Sequence, residues 1–285
     1  MAAAAAAASL EASPVVTGMG PGICSPFFDA NGTLHFASSM SGDIFAADIS
    51  AGRAEKVTNS GGGVTGAAVD ASGSLYLADP AQNAVLCVAA GDVKVVCASY
   101  EDRPFRGPHS VAFDSKGGMF FTDSGPLGET GLHNPKGSVY AVAQGPDGSY
   151  LKPLISESLA HPAGVAVSPD DRCIYVCEMM SNRILRLCQK PKGVYHASVF
   201  YQFSGGMGPS SVAVAPTGDV IVGLFDFNGL QRSGKVLCLG VDGSIQAEVH
   251  VPGPEVTGVA VSPNGRELYI TEASTGALLF APLSS

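Results

Sequence analysis

Residues 164–178 read GVAVSPDDRCIYVCE, and residues 258–272 read GVAVSPNGRELYITE. Each stretch contains an apolar strand, a tight turn and a second apolar strand that ends in a polar residue. The pattern occurs four more times, at residues 25–39, 66–79, 110–123 and 211–226. A tight hairpin needs a residue with positive φ, which glycine adopts freely and aspartate tolerates. The residues at this position are Gly32, Gly73, Gly117, Asp171, Gly218 and Gly265, with spacings of 41, 44, 54, 47 and 47.

A third apolar strand follows most repeats, as in GSVYAVAQ and NRILRLCQ, and a weaker fourth follows it, as in HASVFYQF. Four strands in about 45 residues are typical of one propeller blade. We therefore predict an all-β fold, a six-bladed β-propeller with four-stranded blades. The chain contains no tryptophan, which argues against the WD40 type.

The ring must be closed for its edges to be protected. The last repeat contains only three strands, while SPVVTG at residues 13–18 is a spare strand before the first repeat. We predict that this N-terminal strand pairs beside residues 276–282 and completes the final blade. Residues 13–285 would then form a single propeller, and residues 1–12 a disordered or helical Ala-rich tail without the basic region of a secretory signal.

Composition excludes several classes of protein. The formal net charge is −9 and no Lys/Arg cluster is present, so no nucleic-acid partner is expected. No apolar run is long enough to span a bilayer, so no membrane partner is expected. The seven cysteines are an odd number without framework spacing, which favours reduced thiols and a cytoplasmic location. Cys173 and Cys177 lie in one predicted strand, too far apart to form a disulfide.

Topology predicts where a site would lie. In each blade the start of the first strand and the end of the second meet at one mouth of the channel, rimmed by the loops at residues 124–137 and 227–234. The candidate pocket residues on this face are Cys24, His109, Asp123, His161, Glu178, Asp226 and Glu272. Each also has a structural interpretation: the acids could cap backbone N–H groups, the histidines could be hydrogen-bonded braces, and Cys24 could be a core residue.

Residues 107–125 and 161–187 resemble the SMP-30/gluconolactonase group and its strictosidine synthase-like relatives. The run from Glu178 to Arg186 is similar to the latter in particular. NHL-repeat propellers share much of the pattern. The resemblance covers residues 20–280 and implies a six-bladed propeller. It does not imply one activity, since the superfamily includes lactonases, esterases, a carbon–carbon bond-forming synthase and proteins without known activity.

In the lactonase branch, the resemblance implies a divalent cation on the axis, held by an acid in G-E-S-P and by Asn or Asp in P-N-D, P-N-G and P-D-G motifs. The matching positions here are Cys24, His109, Ala163 and Ser210. Hard cations need oxygen ligands, so we expect no metal and no cofactor at this site. The catalytic glutamate of the synthase branch would fall near Glu255, which is not clearly in register.

Three functions remain open from the sequence. The first is a metal-independent propeller that binds a small molecule in an acid-lined axial pocket and could be a lactonase- or esterase-like hydrolase. The second is a non-enzymatic NHL-type module that docks a protein partner on the same face. The third is a remodelled zinc or iron site that uses Cys24 and His109.

Overall fold

The computed structural model describes residues 7–89, 91–145, 148–191, 193–226 and 229–283. The chain enters with two short strands, β1 (Ala8–Glu11) and β2 (Ser13–Val16). Six antiparallel sheets follow in chain order, and each is one blade. The six-bladed propeller predicted from the repeats is confirmed.

The first three blades each contain four consecutive strands. The first blade consists of β3 (Ile23–Phe28), β4 (Leu34–Ser38), β5 (Asp43–Asp48) and β6 (Arg53–Asn59). The second consists of β7 (Gly66–Val69), β8 (Leu75–Asp79), β9 (Ala84–Ala89) and β10 (Asp92–Cys97). A small hairpin, β11 (Ser99–Tyr100) and β12 (Arg103–Pro104), leads to the third blade. That blade consists of β13 (Pro108–Phe113), β14 (Met119–Asp123), β15 (Gly137–Gly145) and β16 (Gly148–Leu159).

The last three blades use the N-terminal strands as well. The fourth consists of β17 (Pro162–Val167), β18 (Cys173–Glu178), β19 (Arg183–Gln189) and β20 (Tyr195–Gln202), with a 3₁₀ turn at Met179–Ser181. The fifth consists of β21 (Met207–Val214), β22 (Val220–Asp226), β23 (Gly234–Leu239) and β24 (Ile245–Val251). The sixth consists of β25 (Val256–Val261), β26 (Glu267–Glu272), β27 (Ala277–Pro282) and, as its outermost strand, β2.

The hairpin turns between first and second strands have the predicted geometry. All six turn residues have positive φ, from 57° at Asp171 to 93° at Gly218. Each turn therefore reverses the chain tightly and brings the end of the second strand back to the face where the first strand began.

Ring closure also follows the prediction. Strand β2 pairs antiparallel with β27, with Ser13 opposite Phe280 and Val16 opposite Leu278. The innermost strand of the sixth blade, β25, contacts that of the first, β3. The described residues form six buried apolar clusters, one between each pair of neighbouring blades, including the sixth and the first. Stability therefore comes from blade-to-blade packing around a complete circle.

The predicted tail at residues 1–12 is wrong where the structure describes it. Strand β1 pairs in parallel with β24, with Ala8 opposite Ala247 and Glu11 opposite His250, and adds a fifth strand to the fifth blade. Ala12 is buried in the cluster between the fifth and sixth blades. Repeated alanines carry no alternating pattern, so the strand could not be read from the sequence. Residues 1–6 lie outside the described residues.

The cysteines also differ from expectation at one pair. Cys173 and Cys188 are directly opposite on β18 and β19 and form a disulfide. The argument for reduced thiols therefore does not extend to them, whereas the remaining five cysteines are free. In the described part of the chain, no helix is long and apolar enough to cross a bilayer.

Candidate functional site

A cavity of about 270 Å³ lies on the propeller axis at the predicted mouth. The strand starts and ends of all six blades converge there, and the loop at residues 125–127 partly covers it. The side chains that contribute to its wall are Cys24, Ser39, Thr65, Pro80, His109, Pro126, Leu127, His161, Met179, Ser210, Phe225 and Thr257. Three predicted site residues are among them: Cys24, His109 and His161.

The four predicted acids do not line this cavity. They are Asp123, Glu178, Asp226 and Glu272, and all four are buried in the wall behind it. The expected acid-lined pocket is therefore corrected to a cavity of neutral and apolar side chains. Of the two loops predicted to rim it, residues 125–127 contribute to the wall, while 227 and 228 lie outside the described residues.

The acids instead hold the chain that leads into the innermost strands. Asp123 accepts hydrogen bonds from the backbone N–H groups of Arg106 (3.1 Å) and Gly107 (2.8 Å), just before β13. Glu178 accepts one from Ala160 N–H (3.0 Å) before β17, and its other oxygen accepts from Arg183 Nε (2.6 Å). These bonds fix each innermost strand to its neighbour at the mouth.

The same arrangement recurs in other blades. Asp79 accepts from Gly63 N–H (3.1 Å), and Glu272 accepts from Glu255 N–H (3.0 Å). Asp226 accepts from Gln231 N–H (2.7 Å) in the loop that follows it. Repetition of the carboxylates along the sequence therefore reflects a repeated structural contact, which was the structural alternative considered for them.

Cys24 is not an activated nucleophile. Its Sγ donates a hydrogen bond to the Val64 carbonyl oxygen (3.2 Å), and burial raises the pKa of the thiol to about 12. The thiolate is the reactive form of cysteine, and at pH 7 Cys24 is a protonated thiol. Cys24 is therefore an unreactive, apolar part of the cavity wall.

His109 and His161 form the polar centre of the cavity. Their ring centroids are 5.6 Å apart and the rings are nearly perpendicular, at 79°. Burial lowers the pKa of His109 to about 4. Burial, followed by repulsion from His109, lowers the pKa of His161 to about 3. Both imidazoles are therefore neutral at pH 7.

Both histidines present an unpaired nitrogen. The Nδ1 atoms of His109 and His161 are buried and have no hydrogen-bond partner among the described residues. An unsatisfied buried polar atom is costly and is commonly satisfied by a water or a ligand. His161 also adopts positive φ (53°), an uncommon conformation for a residue other than glycine. Two neutral imidazoles with unsatisfied nitrogen atoms therefore lie side by side in the cavity wall.

The low pKa values predict how stability depends on pH. Below about pH 6.5 these histidines become protonated in the unfolded chain. In the folded chain, His109 becomes protonated only near pH 4 and His161 only near pH 3. The free energy of unfolding should therefore fall as the pH is lowered from 7 to 5. Replacing His161→Asn, which tolerates positive φ and does not titrate, should make this fall smaller in urea titrations. An equal fall in the free energy of unfolding of the parent and of His161→Asn would show that the imidazoles are solvated. An NMR titration midpoint near 6.5 for these histidines would show the same.

Sequence reasoning missed several wall residues. Pro80 and Met179 directly follow the acids Asp79 and Glu178, and Phe225 directly precedes Asp226. Side chains alternate in direction along a strand, so an acid that faces the neighbouring backbone places an adjacent residue toward the axis. The sequence signal that could have identified these wall residues is their position next to a repeated carboxylate.

A narrower chamber of about 90 Å³ continues along the axis below the cavity. Thr65, His109, Ser210 and Thr257 line both spaces. The lower chamber adds hydroxyl groups from the innermost strands, including Ser211, whose buried Oγ has no hydrogen-bond partner among the described residues. The axis thus changes from an apolar mouth to a hydroxyl-lined interior.

The family model described as SMP-30/Gluconolactonase/LRE-like region matches residues 24–274. The chain belongs to the SMP-30/gluconolactonase/LRE-like family. The match includes the starts and ends of strands that form the cavity.

Curated relatives of this family member include two bacterial proteins named lactonase drp35. The chain is 32% identical over 147 residues to the protein of Staphylococcus haemolyticus and 34% identical over 145 residues to that of Staphylococcus saprophyticus. Each alignment covers 50% of this chain and 41% of the relative. The similarity thus spans less than half of the lactonases' own length.

Solved structures share the fold of this family member. A gluconolactonase from Xanthomonas campestris superimposes with a TM-score of 0.79 at 21% identity, over 96% of this chain and 90% of that one. Regucalcin from Agrobacterium tumefaciens, a calcium-binding protein, superimposes with a TM-score of 0.77 at 19% identity, over 97% and 95% of the two chains. At these identities the likeness establishes the propeller fold alone.

The residues at the family's metal-binding positions do not fit a hard divalent cation. The Cys24 thiol donates its proton to a carbonyl, and Ala163 offers only a methyl group. Ser210 Oγ donates to the Val256 carbonyl oxygen (2.6 Å). Calcium and magnesium need several charged or carbonyl oxygens, which this set does not supply.

The described residues do not form a zinc or iron site either. In the described ranges, no group of three or more His, Cys, Asp and Glu side chains could hold a metal ion. Cys24 and His109 therefore lack the third ligand that such a site requires.

Proposed function

We propose that this protein is a metal-independent member of the SMP-30/gluconolactonase/LRE-like family that binds a small molecule in the axial cavity. The observation that carries the proposal is a cavity on the propeller axis whose wall combines apolar side chains with two neutral imidazoles, those of His109 and His161. An apolar pocket with a few convergent polar groups is the usual form of a small-molecule site.

Binding is favoured over hydrolysis by the chemistry of the wall. Hydrolysis in this cavity would need an activated nucleophile, a base of suitable pKa or a Lewis acid. The Cys24 thiol is protonated, and His109 and His161, with pKa values near 4 and 3, are weak bases at pH 7. The nearby carboxylates are engaged with backbone N–H groups. Lactone turnover, suggested by the names of the relatives, is therefore the secondary form of this proposal.

Docking of a protein partner on the same face is the second candidate. Four large apolar side chains are more than half exposed in loops that join second and third strands: Met40, Leu127, Leu132 and Leu230. These loops open on the face that contains the cavity mouth. Exposed apolar residues grouped on one face are characteristic of interaction surfaces.

The proposal predicts ligand-induced stabilisation that depends on the cavity. Small lactones and neutral ring compounds should be screened by thermal melting against the protein and against Ser39→Phe, which places a phenyl ring in the wall. Ser41→Phe, two residues further in the exposed loop, is the matched control. A ligand at 100 times its Kd stabilises the folded state by about 2.7 kcal/mol, equivalent to a rise of several degrees in Tm.

The outcomes separate the alternatives. A rise in Tm for the parent and Ser41→Phe but not for Ser39→Phe would support the axial site. An equal rise in all three proteins would place binding elsewhere, and no rise with any compound would favour the protein partner. Calcium, magnesium and manganese should leave Tm unchanged, and a dose-dependent rise of several degrees would contradict metal independence.

A further inference from the structure

The outer strand of the second blade, β10, exposes more large apolar side chains than any other outer strand. Val93 is 41% exposed, Val95 61% and Val96 41%. Among the described residues, no other outer strand of a blade exposes more than one such side chain. An exposed apolar strand at the edge of a sheet is a template for pairing with a further strand.

Most of the other outer edges are protected in ways that β10 is not. The edge of β24 is covered by β1, which also shows that a blade of this propeller accepts an added strand. Strands β2 and β16 contain Pro14 and Pro153, which cannot donate a backbone hydrogen bond. Strand β6 exposes the charged side chains of Arg53, Glu55 and Lys56. Charged residues and prolines oppose pairing at an edge.

The backbone of β10 has hydrogen-bonding groups that point outward. In the described part of the chain, β10 pairs with β9 alone. Ala89 and Asp92 are opposite each other across a two-residue connection, and the pair that closes such a hairpin is hydrogen-bonded. Hydrogen-bonded and non-hydrogen-bonded pairs alternate along antiparallel strands. The backbone N–H and C=O groups of Val93 and Val95 therefore point away from β9.

The side chains of β10 are separated by chemistry onto the two faces of the strand. Val93 and Val95 lie opposite residues of β9 that pack in the cluster between the first and second blades. Asp92 and Lys94 alternate with them and lie on the opposite face. Both charged side chains are exposed, and among the described residues neither forms an ion pair.

Two copies of β10 are complementary when they pair antiparallel about Val93. Val93 of one copy then lies opposite Val93 of the other, and their outward backbone groups bond to each other. Asp92 of each copy lies opposite Lys94 of the other, so opposite charges meet on one face. On the other face, Val95 lies diagonal to Val93 of the second copy, and the valines of both copies contact one another. A pairing centred on Lys94 would instead place two lysines opposite each other, which is unfavourable.

We infer that β10 is a homodimerisation edge, at which the second blades of two copies pair antiparallel about Val93 into one continuous sheet. A second copy is the occupant because the charges of the strand complement those of the same strand in reverse direction. The edge is separate from the proposed ligand site, since no residue of β10 lines the axial cavity. The contact is one short strand pair, so we expect a weak dimer with a Kd on the order of 100 µM.

Exchange of the two charges tests the pairing directly. Sedimentation equilibrium of the full chain between about 5 and about 500 µM measures the dimer Kd. Asp92→Lys and Lys94→Asp each place like charges opposite one another, and each should raise the Kd by about tenfold or more. In an equimolar mixture of these two variants, every lysine of one chain lies opposite an aspartate of the other. The mixture should therefore dimerise about as well as the parent.

Two valine variants separate β10 from other exposed strands. Val95→Lys should also raise the dimer Kd, because it places a charge in the apolar face of the pairing. Val199→Lys is the matched control, since Val199 is 49% exposed on the outer strand of the fourth blade, and it should leave the Kd unchanged. Circular dichroism melting checks that each variant is folded. Hydrogen exchange of the parent needs no variant: the Val93 amide should exchange more slowly in concentrated than in dilute protein.

The outcomes decide the inference. Restored dimerisation in the mixture, with Val199→Lys unchanged, would support the pairing about Val93. A parent that stays monomeric up to about 500 µM would overturn the dimer. Self-association that neither Asp92→Lys nor Val95→Lys weakens would place the contact on another surface and overturn the role of β10. A mixture that stays as weak as its components would overturn the pairing of Asp92 with Lys94.

Discussion

Removal of residues 1–19 should lower the Tm by on the order of 10 °C or more, or prevent folding altogether. The deletion removes β1 and β2. It takes away Val16, which is 1% exposed and packs in the cluster between the sixth and first blades, and it leaves β27 as an open edge. Loss of several buried apolar side chains at about 1.5–3 kcal/mol each is a large fraction of the stability of a single domain.

Two shorter deletions are the controls, measured by circular dichroism melting and size-exclusion chromatography. Removal of residues 2–6, which lie outside the described residues, gives the reference Tm. Removal of residues 2–12 deletes β1 and Ala12 but keeps β2, and should give an intermediate loss because β1 only covers the outer edge of the fifth blade. A 1–19 deletion that melts within 2 °C of the 2–6 deletion would show that β2 does not close the ring.

Replacing Glu272→Ala should lower the free energy of unfolding by about 3 kcal/mol or more. The side chain is fully buried. It accepts hydrogen bonds from Glu255 N–H (3.0 Å), from Ser274 Oγ (2.6 Å) and from Thr275 N–H (2.8 Å). Its removal leaves these donors without a partner where the sixth blade meets the mouth, and urea titration measures the loss.

The matched control is Glu55→Ala. Glu55 is 71% exposed and forms a surface ion pair with Arg53, so its removal should cost no more than about 1 kcal/mol. Binding of an axial ligand should be unchanged in Glu272→Ala under conditions where the variant is folded, because Glu272 does not line the cavity. A loss as small as that of Glu55→Ala would refute the bracing role of the acid.

Much of the fold was predictable because its information is local and repeated. Each hairpin has its own turn signal, such as Gly265 between two apolar strands, and six repeats reinforce one another. Even the pairing of residues 13–16 with the final blade could be inferred, because an open ring would leave an unpaired edge. Strand β1 could not be inferred from the sequence. It pairs in parallel with an outer strand, and the alanines around it give no periodic signal.

The site was less predictable because the direction of a side chain depends on register. Topology placed His109 and His161 at the cavity, but it placed Asp123 and Glu178 there as well. One position along a strand separates a residue that faces the axis from one that faces the neighbouring segment, as Met179 and Glu178 show. The Cys173–Cys188 disulfide was missed for the same reason, since the two residues become opposite only when β18 and β19 pair around the turn at 179–182.

The closure of the ring by β2 affects the order in which the protein can fold during synthesis. Residues 13–16 leave the ribosome before almost all of the propeller, whereas their partner strand at Ala277–Pro282 begins 261 residues after Val16. Synthesis proceeds at about 5–20 residues per second, so this apolar strand waits on the order of ten seconds or more for its partner. The first five blades can form progressively during that time, while the sixth can assemble only after β27 has emerged. An unpaired apolar strand that stays exposed over this interval favours association with other chains, which the completed ring prevents.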